Sequence, residues 1–600
     1  MPIDFTNTNL VWTSILVETL HRLGLKTAVV CPGSRSAPLA IAFASHSHIE
    51  AIPVLDERSA SFFALGLARQ QKRPVGLICT SGTAGANFYP AVIEARESRV
   101  PLLILTADRP PELRDCNAGQ AINQHNLYGN FPNWYTELAL PSLKPELLNY
   151  LRQTILHAWN RTLFPVPGCV HLNLPFRDPL APLPEVQAQA QALTFNETTF
   201  FSALPSTTHP SPLLSRLTLT AAAHSPSPIL HSPFPIFPAT THGVILAGPA
   251  QPASPHAYIE AIAHLSKTLG FPVLAEGLSP LRNYADQVPN LITTYDLILR
   301  NPILAQKLAP EVVVRIGEMP TSKQVRTWLT ATQPQQWIVD PGDRNLDPLH
   351  GKTTHLPLTV EALSEWLTAD PAPISPYLDL WNRAEFQVRQ VVDRTMQETN
   401  ELFEGKAAWL LSNLLPPKTP VFISSSTPVR DVEFFWRSGN SQIQPYFNRG
   451  ANGIDGSLST ALGIAHRQLP AVMLTGDLAL LHDTNGFLLR QQFVGHLTIV
   501  LINNNGGGIF EMLPIAQFNP PFETFFATPQ AIDFAALCHT YGVAHQVISS
   551  WEDLENQLNP LPDAGIRVLE LRCDRKADAR WRQAHLGTFA QTISIHPYAT

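Results

Sequence analysis

Two stretches decide how this chain folds: Ala471-Val472-Met473-Leu474-Thr475-Gly476-Asp477, and Leu497-Thr498-Ile499-Val500-Leu501-Ile502-Asn503-Asn504-Asn505-Gly506-Gly507-Gly508. Each opens with a short aliphatic and β-branched run that reads as a buried strand. Each then stops at residues that favour turns. Both strands therefore present oxygen-bearing side chains at the carboxyl edge of a parallel sheet, where open α/β sheets bind ligands. Asn504 follows Asp477 by 27 positions. Mg²⁺ takes hard oxygens in near-octahedral geometry, usually one or two carboxylates plus phosphates. Asp477 can give a carboxylate oxygen, Asn504 an amide oxygen, and the glycine run a carbonyl, with Gly506 the candidate. Glycines also let the backbone approach a diphosphate closely. Gly476-Asp477 alone would read as a helix cap beside an Asn-rich turn; the spacing, the two strands and the glycine run together favour the ligand reading.

The same rhythm of short strand, Gly- or Ser-containing turn and amphipathic helix recurs in two earlier segments, which predicts parallel sheets wrapped by helices. In the first, strands are expected at Thr27–Cys31, Ala51–Leu55, Val75–Thr80 and Pro101–Thr106, with helices at Leu10–Leu23, Arg58–Gln71 and Thr83–Glu97. In the second, strands are expected at Gly243–Gly248, Pro272–Ala275, Val312–Gly317 and Trp337–Asp340. In the third they are expected at Val421–Ser425, Ile443–Phe447, Val472–Leu474, Leu497–Ile502, Gln546–Ile548 and Arg567–Leu571. The expected architecture is α/β, with three doubly wound, mostly parallel domains: 1–190, 243–374 and 375–600. Residues 191–242, rich in Pro, Ser, Thr and His from about Pro205 onward, read as a linker.

Composition sets outer limits. Six hundred residues suffice for several domains. Lys plus Arg number 41 and Asp plus Glu 48, for a net charge of −7. That balance, with no basic run, argues against a nucleic-acid partner. The six cysteines are scattered without C-x-x-C spacing, which suits free thiols in a reducing compartment better than disulfides or zinc. Neither a signal peptide nor a membrane span is indicated, and a cytoplasmic location is expected.

The Gly476-Asp477…Asn504 pattern resembles the metal and diphosphate signature of thiamine-diphosphate-dependent enzymes, which usually have Gly-Asp-Gly where this chain has Leu478. The resemblance implies thiamine diphosphate and Mg²⁺ (or Mn²⁺) as cofactors, with Asp477, Asn504 and Gly506 on the metal. It also implies a carboxyl group that hydrogen-bonds the pyrimidine nitrogen N1′ and activates the cofactor. Glu57, in Leu55-Asp56-Glu57-Arg58-Ser59 at a strand end and helix start, is the candidate; Asp56 reads as that helix's N-cap. On its own, Glu57 would read as an acid stabilised at a helix N-terminus. Ser426 and Ile454 are implied as further cofactor contacts. In the family the cofactor bridges the pyrimidine-binding domain of one subunit and the diphosphate-binding domain of its neighbour, so a homodimer or homotetramer is implied.

Other motifs narrow the resemblance. Pro32-Gly33-Ser34-Arg35-Ser36, Thr106-Ala107-Asp108-Arg109-Pro110-Pro111-Glu112-Leu113 and Asn448-Arg449-Gly450-Ala451-Asn452-Gly453-Ile454-Asp455-Gly456 are together similar to one branch of the family. That branch decarboxylates 2-oxoglutarate and adds the succinyl carbanion equivalent to isochorismate, in menaquinone or phylloquinone synthesis. Two dicarboxylates need a concentrated basic pocket in an acidic protein, and arginine's planar fork suits carboxylates. The resemblance implies that Ser34, Arg35, Arg109, Gln120 and Lys323 face isochorismate. It implies that Arg430 and Arg449 hold the succinyl carboxylate, and that Ile509 and Phe510 form an apolar wall. Gly119 stands where some relatives have Asn. A pyruvate-specific carboligase, a non-catalytic subunit keeping the fold and a nicotinamide oxidoreductase are the alternatives. The cation-rich motifs speak against the first, the presence of Glu57 and Asp477 against the second, and the lack of G-x-G-x-x-G against the third.

Overall fold

The computed structural model describes residues 3–204, 237–238, 240–367, 370–591 and 593. These form two compact units. One comprises the described residues of Met1–Ser215 with Asn448–Gln468 and Leu481–His496. The other comprises those of Arg216–Phe447, Leu469–Leu480 and Leu497–Thr600. Most of the Pro/Ser-rich stretch expected as a linker lies outside the described residues.

The first unit carries strands β1 (Thr27–Val30), β2 (Glu50–Pro53), β3 (Val75–Cys79), β4 (Leu102–Asp108), β5 (Trp134–Glu137) and β6 (Cys169–Pro175) in the order β2-β1-β3-β4-β6-β5. β4 is buried along its whole length, because helices cover both faces of a parallel sheet and the strand must be apolar throughout. Burying each of Leu103, Ile104 and Leu105, all 0% exposed, contributes about 1.5–3 kcal/mol. β6 is equally buried although it contains His171 and Asn173. β4 meets both: Thr106 Oγ1 lies 2.8 Å from His171 Nε2 and donates to Asn173 Oδ1 at 2.9 Å. The core of this unit continues through Ala188 to Phe201.

One expected helix is broken. Thr83–Glu97 is two helices, Thr83–Ala86 and Tyr89–Glu97. Pro90 has no N–H to give to Ala86, and its ring would clash with that carbonyl. The chain therefore restarts, with Pro90 in the first turn of the new helix.

The second unit carries two sheets. β7 (Gly243–Ala247), β8 (Val273–Ala275), β9 (Leu291–Ile292), β10 (Val312–Ile316), β11 (Gln335–Val339) and β12 (Lys352–Leu356) lie in the order β12-β11-β10-β7-β8-β9. β13 (Pro420–Ile423), β14 (Gln444–Tyr446), β15 (Ala471–Gly476), β16 (His496–Asn503), β17 (Ala544–Ile548) and β18 (Gly565–Arg572) lie in the order β14-β13-β15-β16-β18-β17. One apolar core runs between them, from Val244 and Leu246 through Trp381 and Val392 to Val421, Val472 and Val500. The three sheets are parallel and six-stranded, as the α/β reading expects. The sequence reading missed β5, β6, β9 and β12. β5 and β12 are edge strands, partly exposed along most of their length, and carry no apolar run to betray them.

In each sheet growth switches direction between β1 and β3, between β7 and β10, or between β13 and β15, and the first and third sheets turn back once more where β6 and β17 exchange places with their sequence neighbours β5 and β18. Crevices open at the carboxyl ends of such strand pairs. The turns after β1, β13 and β15 hold Ser34 and Arg35, Ser426, and Asp477 respectively.

Candidate active site

In the second unit, β15 and β16 pair in parallel with Gly476 opposite Ile502. Asp477 and Asn504 thus emerge from neighbouring strand ends. Asp477 is 4% exposed. Its Oδ1 accepts from the Leu478 N–H at 2.7 Å and its Oδ2 from the Gly506 N–H at 2.8 Å. Burial pushes its carboxyl up to about 6, against the pull of those two N–H groups. Asn504 is also buried; Nδ2 donates to Glu404 Oε2 at 3.3 Å, while Oδ1 is buried with no hydrogen-bond partner.

Gly506 has φ +136°, and a side chain there would bring Cβ to 2.3 Å from the Ala527 carbonyl oxygen. Only glycine fits this turn. Around Gly476, by contrast, a Cβ would meet nothing within 4 Å. A buried carboxylate, an amide oxygen without a partner and a close glycine turn form a donor set suited to a hard divalent cation.

Ser426 stands at the turn between β13 and the helix Thr427–Phe435, with φ +80° and ψ −133°. That is a strained conformation for a residue with a side chain. Its carbonyl accepts from Arg430 Nη1 at 2.7 Å. Ile509 and Phe510 are half-buried in the turn Gly508–Met512, and the Phe510 ring meets Phe526 edge-on at 5.9 Å. They belong neither to the cores nor to the open surface. Lys323 is exposed at the first position of the helix Lys323–Thr332, which Ser322 caps.

In the first unit, Glu57 occupies the first turn of the helix Glu57–Gln71. Asp56 is the N-cap, as expected, and accepts from the Arg58 N–H at 2.9 Å. Asn485 Nδ2 donates to Asp56 Oδ2 at 2.7 Å. Although burial alone would raise it, hydrogen bonds from Arg58 and Asn485 hold the Asp56 carboxyl down at about 2. Glu57 is half-buried near the buried thiols of Cys31 and Cys79; burial pushes both thiols up, helped by the charge of Glu57 at Cys79 and by Cys79 and then Glu57 at Cys31.

A cationic cluster forms at the ends of β1, β3 and β4. Arg109 Nη1 donates to Ser81 Oγ at 2.7 Å and Nη2 to the Gly119 carbonyl at 2.6 Å. Burial, and then the neighbouring charge of Arg35, lowers the Arg109 guanidinium. Arg35 is buried, with Nη1 on the Phe176 carbonyl at 3.0 Å and Asp178 at 3.4 Å, and Nε without a partner. Ser81 also ties down Gln120, giving its hydroxyl to the Gln120 carbonyl at 3.0 Å while the Gln120 amide donates to the Ser81 carbonyl at 3.1 Å. Ser34 is exposed in the turn after β1; that turn presses on β3, since a Cβ on Gly33 would fall 2.2 Å from Thr80 Cβ. Ser81 thus gathers Arg109 and Gln120, and Arg35 stands near enough for its charge to act on Arg109.

Arg449 and Ile454 are half-buried in a loop of the same unit. Glu94 holds that loop, accepting from the Gly450 and Ala451 N–H groups at 3.1 and 2.7 Å. Arg69 in turn neutralises Glu94 at 2.9 Å. Ser81, Glu94 and Glu404 were missed in the sequence. Ser81 had a signal, the Thr80-Ser81-Gly82 turn at a strand end. Glu94 and Glu404 lie within helices and had none.

Sheet order, glycine turn and buried Asp–Asn pair together fit the class of thiamine-diphosphate enzymes. Family models agree: residues 12–127 match the N-terminal TPP binding domain of thiamine pyrophosphate enzymes, 224–423 their middle domain, and 432–568 their C-terminal TPP binding domain. The chain belongs, within them, to the family of 2-succinyl-5-enolpyruvyl-6-hydroxy-3-cyclohexene-1-carboxylate synthases. Proteins of that name from Trichormus variabilis and a Nostoc species are each 60% identical to it, over 98% of this chain and 99% of theirs. One from Trichodesmium erythraeum is 59% identical, over 98% of this chain and 100% of its own. Among solved structures, benzoylformate decarboxylase from Polynucleobacter necessarius superposes with a TM-score of 0.65 at 16% identity, covering 94% of this chain and 98% of that one. At that identity the likeness concerns the fold.

Proposed function

We propose that this chain decarboxylates 2-oxoglutarate and joins the resulting succinyl carbanion equivalent to isochorismate by 1,4-addition, in menaquinone or phylloquinone synthesis. The observation that carries the substrate reading is the pair Arg109, held on Ser81, and Arg35, whose charge acts on it. Two guanidinium groups close enough for the charge of Arg35 to act on Arg109, in a protein of net charge −7, call for an anionic ligand with more than one charge. The names of the relatives supply its identity.

Bound thiamine diphosphate supplies the nucleophilic carbon and the electron sink for this chemistry. The chain's own residues bind, orient and move a proton. Asp477, Asn504 and the carbonyl of Gly506 would hold Mg²⁺ or Mn²⁺, and Ser426 and Ile454 would contact the cofactor. Glu57, at a helix start beside an apolar strand end, would hold the proton at N1′. Ser34, Arg35, Arg109, Gln120 and Lys323 would take isochorismate. Arg430 and Arg449 would take the succinyl carboxylate, with Ile509 and Phe510 walling off water. The working form would be a homodimer or homotetramer in the cytoplasm, its three domains spanning 1–190, 243–374 and 375–600.

The test is direct. Enzyme with thiamine diphosphate, Mg²⁺, 2-oxoglutarate and isochorismate should release CO₂ and form one adduct, and pyruvate should replace 2-oxoglutarate poorly. Glu57→Gln should bind the cofactor yet slow proton exchange at its C2 by at least about 100-fold, the lower end of what a positioned acid–base group contributes. No CO₂ and no adduct would end the proposal; unchanged exchange would remove Glu57 from this role.

A further inference from the structure

Glu404 opens the helix Glu404–Leu414 and is 4% exposed. Its Oε2 accepts from Asn504 Nδ2, 100 positions away, at 3.3 Å. Its Oε1 pairs with Arg582 Nη2 at 3.1 Å, and its backbone N–H is capped by Asp578 Oδ2 at 3.2 Å. Arg582 pairs through Nη1 with Asp431 at 2.5 Å. Asp578 and Arg582 both come from the helix Arg575–His585, four residues apart and so on one face. Glu404 is therefore held from three sides, all of them buried.

A carboxylate accepts hydrogen bonds and donates none. Facing the Asn504 amide, it can meet Nδ2 but not the oxygen. The amide is thereby turned one way, and Oδ1 is left buried and without a partner. We infer that Glu404 is a positioning residue of the cation site, fixing the Asn504 amide so that its oxygen is presented to a divalent cation. The inference rests on the reading of Asp477 and Asn504 as cation ligands. It also gives a reason for asparagine at 504: an aspartate there would set two carboxylates face to face, whereas asparagine offers a donor on one side and an acceptor on the other. Groups behind a ligand in this way are worth about 10–100-fold in metal affinity.

The arrangement has a reciprocal solution, which makes it testable with near-isosteric changes. In E404Q the new amide keeps its oxygen on Arg582 and turns its nitrogen on Asn504, donor against donor. Asn504 must then rotate and lose its oxygen to the amide. Adding N504D gives that nitrogen an acceptor and leaves the second carboxylate oxygen for the cation.

Mn²⁺ binding to the full chain with thiamine diphosphate present, followed by the paramagnetic resonance signal of the free ion, reads this without recourse to activity. E404Q should bind at least tenfold more weakly than the natural sequence. The double variant E404Q/N504D should return to within about threefold of it, and N504D alone should bind more weakly than the double variant. Glu404→Leu, which deletes the acceptor, carries the same expectation as E404Q and decides the matter if E404Q misfolds. Natural affinity in E404Q or Glu404→Leu would overturn the inference. So would N504D alone binding more tightly than the double variant, since added charge and not orientation would then govern. Asn504→Ala separates the two levels. Unchanged Mn²⁺ binding there would remove Asn504 from the cation site altogether, whereas lost binding there with natural affinity in E404Q would remove only Glu404.

Discussion

Arg109 shows how firmly one side chain can be anchored before substrate arrives. Its two terminal nitrogens are fixed on Ser81 Oγ and the Gly119 carbonyl, so the plane of the guanidinium is set. A lysine has one nitrogen and no plane, and cannot hold both acceptors in that geometry. Arg109→Lys should therefore raise KM for isochorismate by about 10–100-fold, the worth of a charge-assisted contact, with KM for 2-oxoglutarate nearly unchanged. Steady-state kinetics with each substrate varied in turn decides this; equal rises in both constants would place Arg109 elsewhere. Asp477 is anchored just as firmly, accepting from the Leu478 and Gly506 N–H groups. Both residues were legible in the sequence because each sits at a strand end marked by its own neighbours. Glu404 acts on the site from another part of the chain and nothing local marks that, whereas Ser81 lies in a strand-end turn that marks a site without naming its partners.

At the level of elements, the helices Glu57–Gln71 and Ser457–Ala465 meet backbone to backbone within the first unit. A Cβ on Gly66 would lie 2.1 Å from the Thr460 carbonyl oxygen, and one on Gly463 would lie 2.2 Å from that of Phe63. Gly66→Ala must force the two helices apart, at about 1–3 kcal/mol or more. A melting temperature several degrees lower is expected, and an unchanged one would mean the contact is loose. Because Glu57 opens one of these helices, activity should fall as well.

The same junction holds a buried acid. Asp483 accepts from the Ser459 N–H at 2.7 Å and the Ser459 hydroxyl at 3.0 Å, yet burial pushes its carboxyl up to about 7. The folded chain keeps a proton there that the unfolded chain releases near pH 4. The group therefore costs nothing below about pH 4 and lowers stability as pH rises from there towards 7. Asp483→Asn keeps an acceptor and cannot ionise. Between pH 4 and 8 the melting temperature of the variant should gain steadily on that of the natural sequence, and parallel profiles would refute the assignment.

At the level of the molecule, cation and cofactor should act jointly. If Asp477 and Asn504 hold a metal that in turn holds the diphosphate, thiamine diphosphate should raise the melting temperature only with Mg²⁺ or Mn²⁺ present. Saturation at a hundred times Kd is worth about 2.7 kcal/mol. Asp477→Ala should abolish that shift, and a full shift in metal-free buffer would contradict the cradle. Sedimentation should give a mass at least twice the 66.1 kDa of the chain if two copies complete the site; an active monomer would rule that out.

Glu57 was singled out only by the family resemblance, but the sequence by itself determined the α/β class, the three sheets and the Asp477–Asn504 pair. All of these are written in local patterns: apolar runs of strand length, with Gly and Asn at their ends. What only the tertiary structure decided are the contacts between remote positions. Glu404 meets Asn504 across 100 residues and Glu94 meets Ala451 across 357. The Thr83–Glu97 helix broke at a proline, and β6 accepted two polar residues because β4 offered Thr106. Periodicity reports which face of an element is apolar. It carries no record of which distant donor a buried carboxylate will find, since that is fixed by the order of the strands and by how closely glycines let their neighbours approach.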